Sequence, residues 1–253
     1  MNNKIVLLGT DCDSTWIVAN YLNEYYHIKA ILIEEKVSKS KLIKNRIKRL
    51  GYLKVLGQLC FQVFLYPIIL SQSLKRINQI CHINNLNRSS NKLSDKITDV
   101  KNVNAENCID LLASLDYDVV VINGTRILSK KLLKAIKKPI INTHVGITPK
   151  YRGVHGAYWA LANDDKENCG VTVHLVDMGI DTGEILYQAK ITPLKQDNFA
   201  TYPYLQIAEA LPLLKEAIIK PTEVIVTANV TSKLWYHPTI FDYLINFIFK
   251  STK

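Results

Sequence analysis

Acidic residues are in short supply in this 253-residue chain: 22 Asp and Glu stand against 32 Lys and Arg, a formal net charge of +10. Cysteine is sparse too. The five (Cys12, Cys60, Cys81, Cys108, Cys169) are odd in number, scattered, and include no Cys-x-x-Cys pair. That sets aside a disulfide framework and a zinc ribbon, and it fits buried thiols in a reducing, cytoplasmic compartment. The sequons at Asn87, Asn123 and Asn229 then carry no meaning. No secretory leader is expected, because "MNNKIVLLGTDCDS" reaches Asp11 and Asp13 before any apolar core long enough to serve. Internal repeats and low-complexity tracts are lacking as well. What remains, at 48% hydrophobic and 21% charged, is ordinary globular composition with enough chain for one large core.

The surplus positive charge is local. "KVSKSKLIKNRIKRL", Lys36 to Leu50, holds seven basic residues and no acidic one. A solvated helix face, a phosphate-seeking surface and a membrane-proximal patch are all consistent with such a run. The next stretch, "YLKVLGQLCFQVFLYPIIL", is strongly apolar but carries Lys54, Gln58 and Gln62, and a helix is expected there until Pro67 ends or kinks it. As a membrane span it is marginal in length and poorly uniform. The expectation is a helix buried against a sheet, with weak peripheral membrane contact through residues 36–70 as the alternative. "NNLNRSSNKLSD" reads as a polar loop.

Around this interruption, strands and helices alternate. "KIVLLG", "IKAILIEE", "YDVVVING" and "PIINTH" read as strands, and "STWIVANYL", "AENCIDLLASL" and "SKKLLKAIKK" as the helices between them. "VHGAYWALAN" is a further helix, "GVTVHLV" and "EILYQAKI" are strands, and a long helix follows near Pro203 with Pro212 inside it. "EVIVTANVTSKLWYH" suggests a terminal strand pair, followed by the aromatic helix "IFDYLINFIF". The fold class is therefore α/β: a mostly parallel sheet flanked by helices. A catalytic domain over 1–192 carries a helical insertion at about 36–95, and residues 193–253 form a C-terminal extension packed on it.

Open parallel sheets bind ligands at the carboxyl ends of their strands. "INTHVGITPKYRG" leaves such an end and presents Asn142 and His144, two apart on one face. With Asp181, in a glycine-bracketed loop, they suit acyl transfer to an amine. Asn142 and His144 can donate to the oxyanion, and Asp181 can orient His144 and favour its charged form. His144, or Asp181 through water, can then take the amine's extra proton. No Ser or Cys lies near a His in a way that suggests a covalent acyl-enzyme. Asn-x-His alone is also ordinary turn chemistry, and spacing does not separate Asp181 from Asp177. His174 reads as a core or sheet-face histidine, and His155 as a helix cap or packing residue. His27, His82 and His237 carry no signal, and no metal site is expected.

Together these segments resemble the folate-dependent formyltransferase family. "INTHVGITPKYRG" is similar to that family's Asn-x-His strand end and following turn, with "VGIT" replacing the usual residues. "GVTVHLVDMGIDTGEILYQAKI" is similar to its folate loop and catalytic aspartate segment, and "GTRILS" to the strand end over which the pterin binds. The likeness runs from about Asp118 to Ile191, with a further match over the first 33 residues. It implies a Rossmann-like formyltransferase fold and 10-formyltetrahydrofolate as co-substrate. Asn142, His144 and Asp181 would be catalytic. Arg126, Ile127 and Leu128 would contact the pterin, as would Val176, Asp177, Gly179 and Ile180, with Asp177 also serving as loop scaffolding.

The resemblance leaves the acceptor amine open. Asp11 and Asp13 in "GTDCDS" would repel the phosphate of glycinamide ribonucleotide. A methionyl-tRNA enzyme would carry a further tRNA-binding domain, whereas 62 residues follow Ile191. A nucleotide-linked amino sugar, of the kind built into bacterial lipopolysaccharide and O-antigen, is the acceptor expected. Tyr151, Arg152, Tyr158 and Trp159 are its candidate contacts, although Tyr158 and Trp159 on a helix suit a core equally well. The alternatives are a glycinamide ribonucleotide or methionyl-tRNA formyltransferase-like enzyme, or a basic non-enzyme held on a membrane or nucleic acid. The aromatic C-terminal stretch can also form a homodimer seam.

Overall fold

Strands that are apolar along their whole length require a sheet covered on both faces, and the pleat sorts their side chains between two cores. Ile5 and Leu7 enter one core while Val6 and Leu8 enter the other; Ile31 and Leu32, and Val121 and Val120, divide the same way. The computed structural model describes residues 3–225, 230–250 and 252–253.

The chain opens as β1 (Lys4–Thr10), α1 (Asp13–Tyr25) and β2 (His27–Glu34). The insertion follows as α2 (Lys39–Leu50), α3 (Tyr52–Cys60), a π-helical turn (Phe61–Leu65) and α4 (Tyr66–Ile83). A 3-10 turn (Asn91–Lys96) leads into β3 (Ile97–Val100), then α5 (Glu106–Ser114), β4 (Val119–Asn123), α6 (Lys130–Ala135) and β5 (Ile140–His144). The last third holds β6 (Arg152–Gly153), α7 (Gly156–Ala162), β7 (Gly170–Leu175), β8 (Ile185–Lys190), α8 (Tyr202–Ile219), β9 (Leu234–Trp235) and α9 (Ile240–Lys250).

Seven strands form one sheet in the order β3-β2-β1-β4-β5-β7-β8. Only β7 runs against the rest, pairing antiparallel with both β5 and β8. The order reverses between β1 and β4, so a crevice opens at their carboxyl ends. This is the expected mostly parallel, Rossmann-like α/β arrangement.

Three expectations need correction. Pro67 does not end the helix. The Tyr66 N–H reaches back five residues to the Phe61 carbonyl, and this π turn precedes Pro67 in the first turn of α4. Tyr52–Ile83 is consequently one 32-residue helical run, long and apolar enough to cross a membrane by length and composition. Its inner face is nevertheless core, through Val55, Phe61, Ile69, Ile77 and Ile80. Second, β3 forms directly after the polar loop, as a short edge strand on β2. Third, part of "EVIVTANVTSKLWYH" lies outside the described residues. Its described end pairs Leu234–Trp235 with Arg152–Gly153 in a separate two-stranded sheet.

Candidate active site

The antiparallel β5–β7 pairing sets Asn142 directly opposite His174 and opens the site between them. The His174 Nδ1 lies 2.7 Å from the Leu175 carbonyl, which can only accept, so Nδ1 carries the proton. Burial pushes the His174 pKa down and keeps the ring neutral, which leaves Nε2 to accept from the Asn142 amide at 3.1 Å. One N–H of Asn142 is thereby fixed and the other remains for a ligand. His174 therefore belongs to the site, although its place in "VTVHLV" suggested core packing.

His144 is buried at the end of β5. Its Nε2 lies 2.7 Å from the Tyr151 carbonyl and its Nδ1 lies 3.4 Å from Asp181 Oδ2. The turn after β5 must curl tightly to bring that carbonyl back. A Cβ on Gly146 would sit 2.3 Å from the Tyr151 oxygen and 2.8 Å from His144 Nε2, so only glycine fits there.

Asp181 occupies the left-handed region at φ 51°, between β7 and β8. Its Oδ2 accepts from the Gly153 N–H at 2.9 Å, and its Oδ1 lies 3.8 Å from His174 Nε2. One carboxylate thus faces both imidazoles. The Gly153 that holds it belongs to the small β6–β9 sheet, so the C-terminal segment braces the site. Asp177 plays a different part: its Oδ1 caps the Gly179 N–H at 2.9 Å and the Thr182 hydroxyl at 2.7 Å, shaping the loop. The distinction between Asp181 and Asp177 is therefore geometric.

These groups line a cleft of about 340 Å³. Asn142, His144, His174 and Asp181 form its polar end, and Arg126, Ile127, Leu128, Val176, Asp177, Gly179 and Ile180 contribute the walls. The Arg126 side chain is turned to the scaffold. Its Nε is paired with the buried Glu34 carboxylate at 2.5 Å and its Nη2 donates to the Glu35 carbonyl at 2.9 Å. Glu34 also accepts the Arg126 backbone N–H at 2.6 Å. It sits at the end of β2, and nothing in the sequence marks it, because its partner is 92 residues away.

The expected acceptor contacts fare differently. Tyr151 and Tyr158 are buried. Tyr151 stacks on Trp235 and donates to Asp165 at 2.8 Å, while the Tyr158 hydroxyl accepts from Asn246 at 3.0 Å. Trp159 stacks on Trp235 and donates to the Tyr236 carbonyl. Tyr151 and Tyr158 are core residues, and Trp159 is half-buried against that core. Arg152 donates from Nη1 to the Ile180 carbonyl at 3.2 Å and so pins the loop beside Asp181. At the crevice mouth Asp11 accepts from Trp16 Nε1, and Asp13 accepts from the Tyr204 hydroxyl. Among the described residues, no group of three His, Cys, Asp or Glu side chains is placed to hold a metal.

The formyl transferase family model matches residues 78–206, just over half of the chain, and spans all three strand ends of the cleft. The chain belongs to the formyltransferase family. Among formyltransferases it is 42% identical over 99 residues to a methionyl-tRNA formyltransferase of Finegoldia magna, covering 39% of this chain and 31% of that protein. A GDP-perosamine N-formyltransferase of Brucella melitensis is 32% identical over 118 residues, 46% of this chain and 45% of that one. The chain thus spans less than half the length of these curated relatives. Among solved structures, the sugar 3N-formyltransferase WlaRD, determined in the presence of dTDP and 5-N-formyl-THF, shares the fold. Its TM-score is 0.56 at 14% identity, over 93% of this chain and 70% of that one.

Proposed function

We propose that this formyltransferase moves a formyl group from 10-formyltetrahydrofolate to the primary amine of a nucleotide-linked amino sugar. The observation that carries the reading is the Asp181 carboxylate facing His144 beside the Asn142 amide, which His174 orients and which keeps a free N–H. A formyl carbonyl seated against Asn142 gains negative charge as the amine attacks, and that N–H, already oriented by His174, stabilises it. The amine nitrogen becomes positive, and Asp181 stands ready to take its proton directly or through water, with His144 sharing the charge. The carbon–nitrogen bond to the folate then breaks, the leaving nitrogen takes up the proton given up by the amine, and tetrahydrofolate leaves.

The donor fits the walls. Among the described residues, no hydrogen bond engages the Arg126 carbonyl or the backbone N–H of Leu128, so a pterin edge can pair with both. WlaRD was determined with a folate of this class. For the acceptor, Asp11 and Asp13 at the start of α1 disfavour a terminal phosphate, while a GDP-perosamine N-formyltransferase and a methionyl-tRNA formyltransferase both match the chain. The test is release of tetrahydrofolate against dTDP-, UDP- and GDP-linked amino sugars, glycinamide ribonucleotide and methionyl-tRNA. Turnover with one nucleotide-sugar is the expected result. Turnover confined to methionyl-tRNA or glycinamide ribonucleotide rejects the acceptor and keeps the chemistry.

A further inference from the structure

The insertion and the last helix share a face that the cleft does not use. α9 is tied down along one side only, by Tyr243 packing on Phe61 at 5.1 Å and Asn246 donating to the Tyr158 hydroxyl. Its other side leaves Phe241, Ile245, Ile248 and Phe249 in solvent, the last 79% exposed. α3 lies against α9, with Gly57 closely apposed to Thr239. The outward stripe that starts on α3 and continues through the π turn into α4 repeats the pattern at helical spacing, with Leu53 (82% exposed) and Leu56, then Val63 and Phe64 (66% exposed), then Ile68. Exposed large apolar side chains clustered on adjoining helices mark an interaction surface.

The charge around them narrows the occupant. From Lys36 to Ser94 the sequence holds twelve Lys and Arg and no Asp or Glu. α2, packed beside α3, buries no residue, and Lys39, Lys41, Lys44, Lys48 and Arg49 all point to solvent. None of these five pairs with a carboxylate among the described residues. A second copy of the chain would place this predominantly cationic face against itself, since a two-fold interface repeats the same patch. An RNA would satisfy the lysines but leave Leu53, Phe64 and Phe249 in water. An anionic bilayer meets both demands: the aromatic and aliphatic tips enter the headgroup–acyl boundary while the flanking ammonium groups meet lipid phosphates.

We propose that α2, α3 and α9 together form a docking face for the surface of an anionic lipid bilayer. The membrane holds the protein without being spanned, because the inner side of Tyr52–Ile83 remains in the protein core. This proposal does not rest on the identity of the acceptor amine.

Cosedimentation with vesicles tests it, using phosphatidylcholine alone and equal parts phosphatidylcholine and phosphatidylglycerol. The wild-type chain is expected to pellet with the mixed vesicles, less so in high salt, and to stay in solution with phosphatidylcholine. Replacing Lys41, Lys44, Lys48 and Arg49 by Gln should weaken binding about tenfold or more. Leu53→Ser with Phe64→Ser and Phe249→Ser should weaken it comparably. These positions are exposed, and retained circular dichroism and tetrahydrofolate release establish that the variants fold. No pelleting with anionic vesicles overturns the proposal. So does pelleting that neither variant reduces. Size-exclusion chromatography with light scattering supplies a third contrary result: a dimer that the serine variant splits, with no vesicle binding, assigns the face to a second copy.

Discussion

The cleft and the helical face are two ways of being prepared for a ligand. In the cleft, polar groups are buried and hold one another: Asn142 is fixed by His174, His144 by Tyr151 and Asp181, Asp181 by Gly153, and Arg126 by Glu34. On the face formed by α2, α3 and α9, apolar side chains stand in solvent, and among the described residues Lys39, Lys41, Lys44, Lys48 and Arg49 of α2 have no carboxylate partner. Directional bonds in a low-dielectric site reward one geometry, which a reaction requires. Burial and charge attraction without direction suit an extended surface. The two regions should therefore respond to substitution in opposite ways.

The largest effect is expected inside the cleft. Asp181→Asn and Asn142→Ala should each lower kcat by about a thousandfold while the folded spectrum is kept. Steady-state kinetics on purified variants check this, and near-normal turnover would erase the contrast. Next comes Glu34→Ala, which leaves the Arg126 guanidinium beside a void and should cost about 3 kcal/mol of stability in urea unfolding. Donor affinity should fall with it, because the Arg126–Leu128 wall is no longer held.

A comparable effect follows from pH, at the seam between the two regions. His155 Nε2 lies 2.9 Å from His237 Nδ1, so one ring must donate and the other accept. Burial lowers the His237 pKa from 6.5 to about 4, and burial with the neighbouring His237 and Arg46 charges drives His155 well down too. Both rings are neutral in the folded protein, whereas the unfolded chain binds protons once the pH passes below 6.5. Stability is therefore full above that value and is lost as pH falls toward 4, by about 3 kcal/mol from His237 alone. Thermal midpoints across that range measure it, and His237→Asn should flatten the profile.

Much of this was legible in the sequence. β1, β2, β4 and β5 are apolar on both faces, and their boundaries with loops carry glycine or polar residues, so local pattern located them. Asn142 and His144 were legible because both sit on one strand with a period of two. His174 was not, since its role comes from being opposite Asn142 in β7, and register is invisible along a single strand. Glu34 was hidden for the same reason at longer range. Tyr151, Tyr158 and Trp159 looked like ligand contacts because aromatic residues serve cores and binding surfaces alike, and only packing against Trp235 and Tyr243 separates the two. Pro67 misled because a π turn absorbs it.

Two smaller effects sharpen the comparison. His174→Leu frees the Asn142 amide and should lower kcat about tenfold with the donor KM unchanged, and His174→Gln should recover part of the loss. Smallest of all, the Gln substitutions at Lys41, Lys44, Lys48 and Arg49 should leave solution turnover within about twofold, as exposed charges remote from a site usually do.

The most direct measurement follows an isotopically labelled formyl group by NMR, from 10-formyltetrahydrofolate to the amine that supports turnover, in the wild-type and Asn142→Ala proteins. Calorimetry on both proteins measures donor affinity in parallel. The expected result is donor binding preserved within a few-fold and label transfer lost in the variant. Undiminished transfer by Asn142→Ala would place the chemistry outside the β5–β7 cleft and contradict the account.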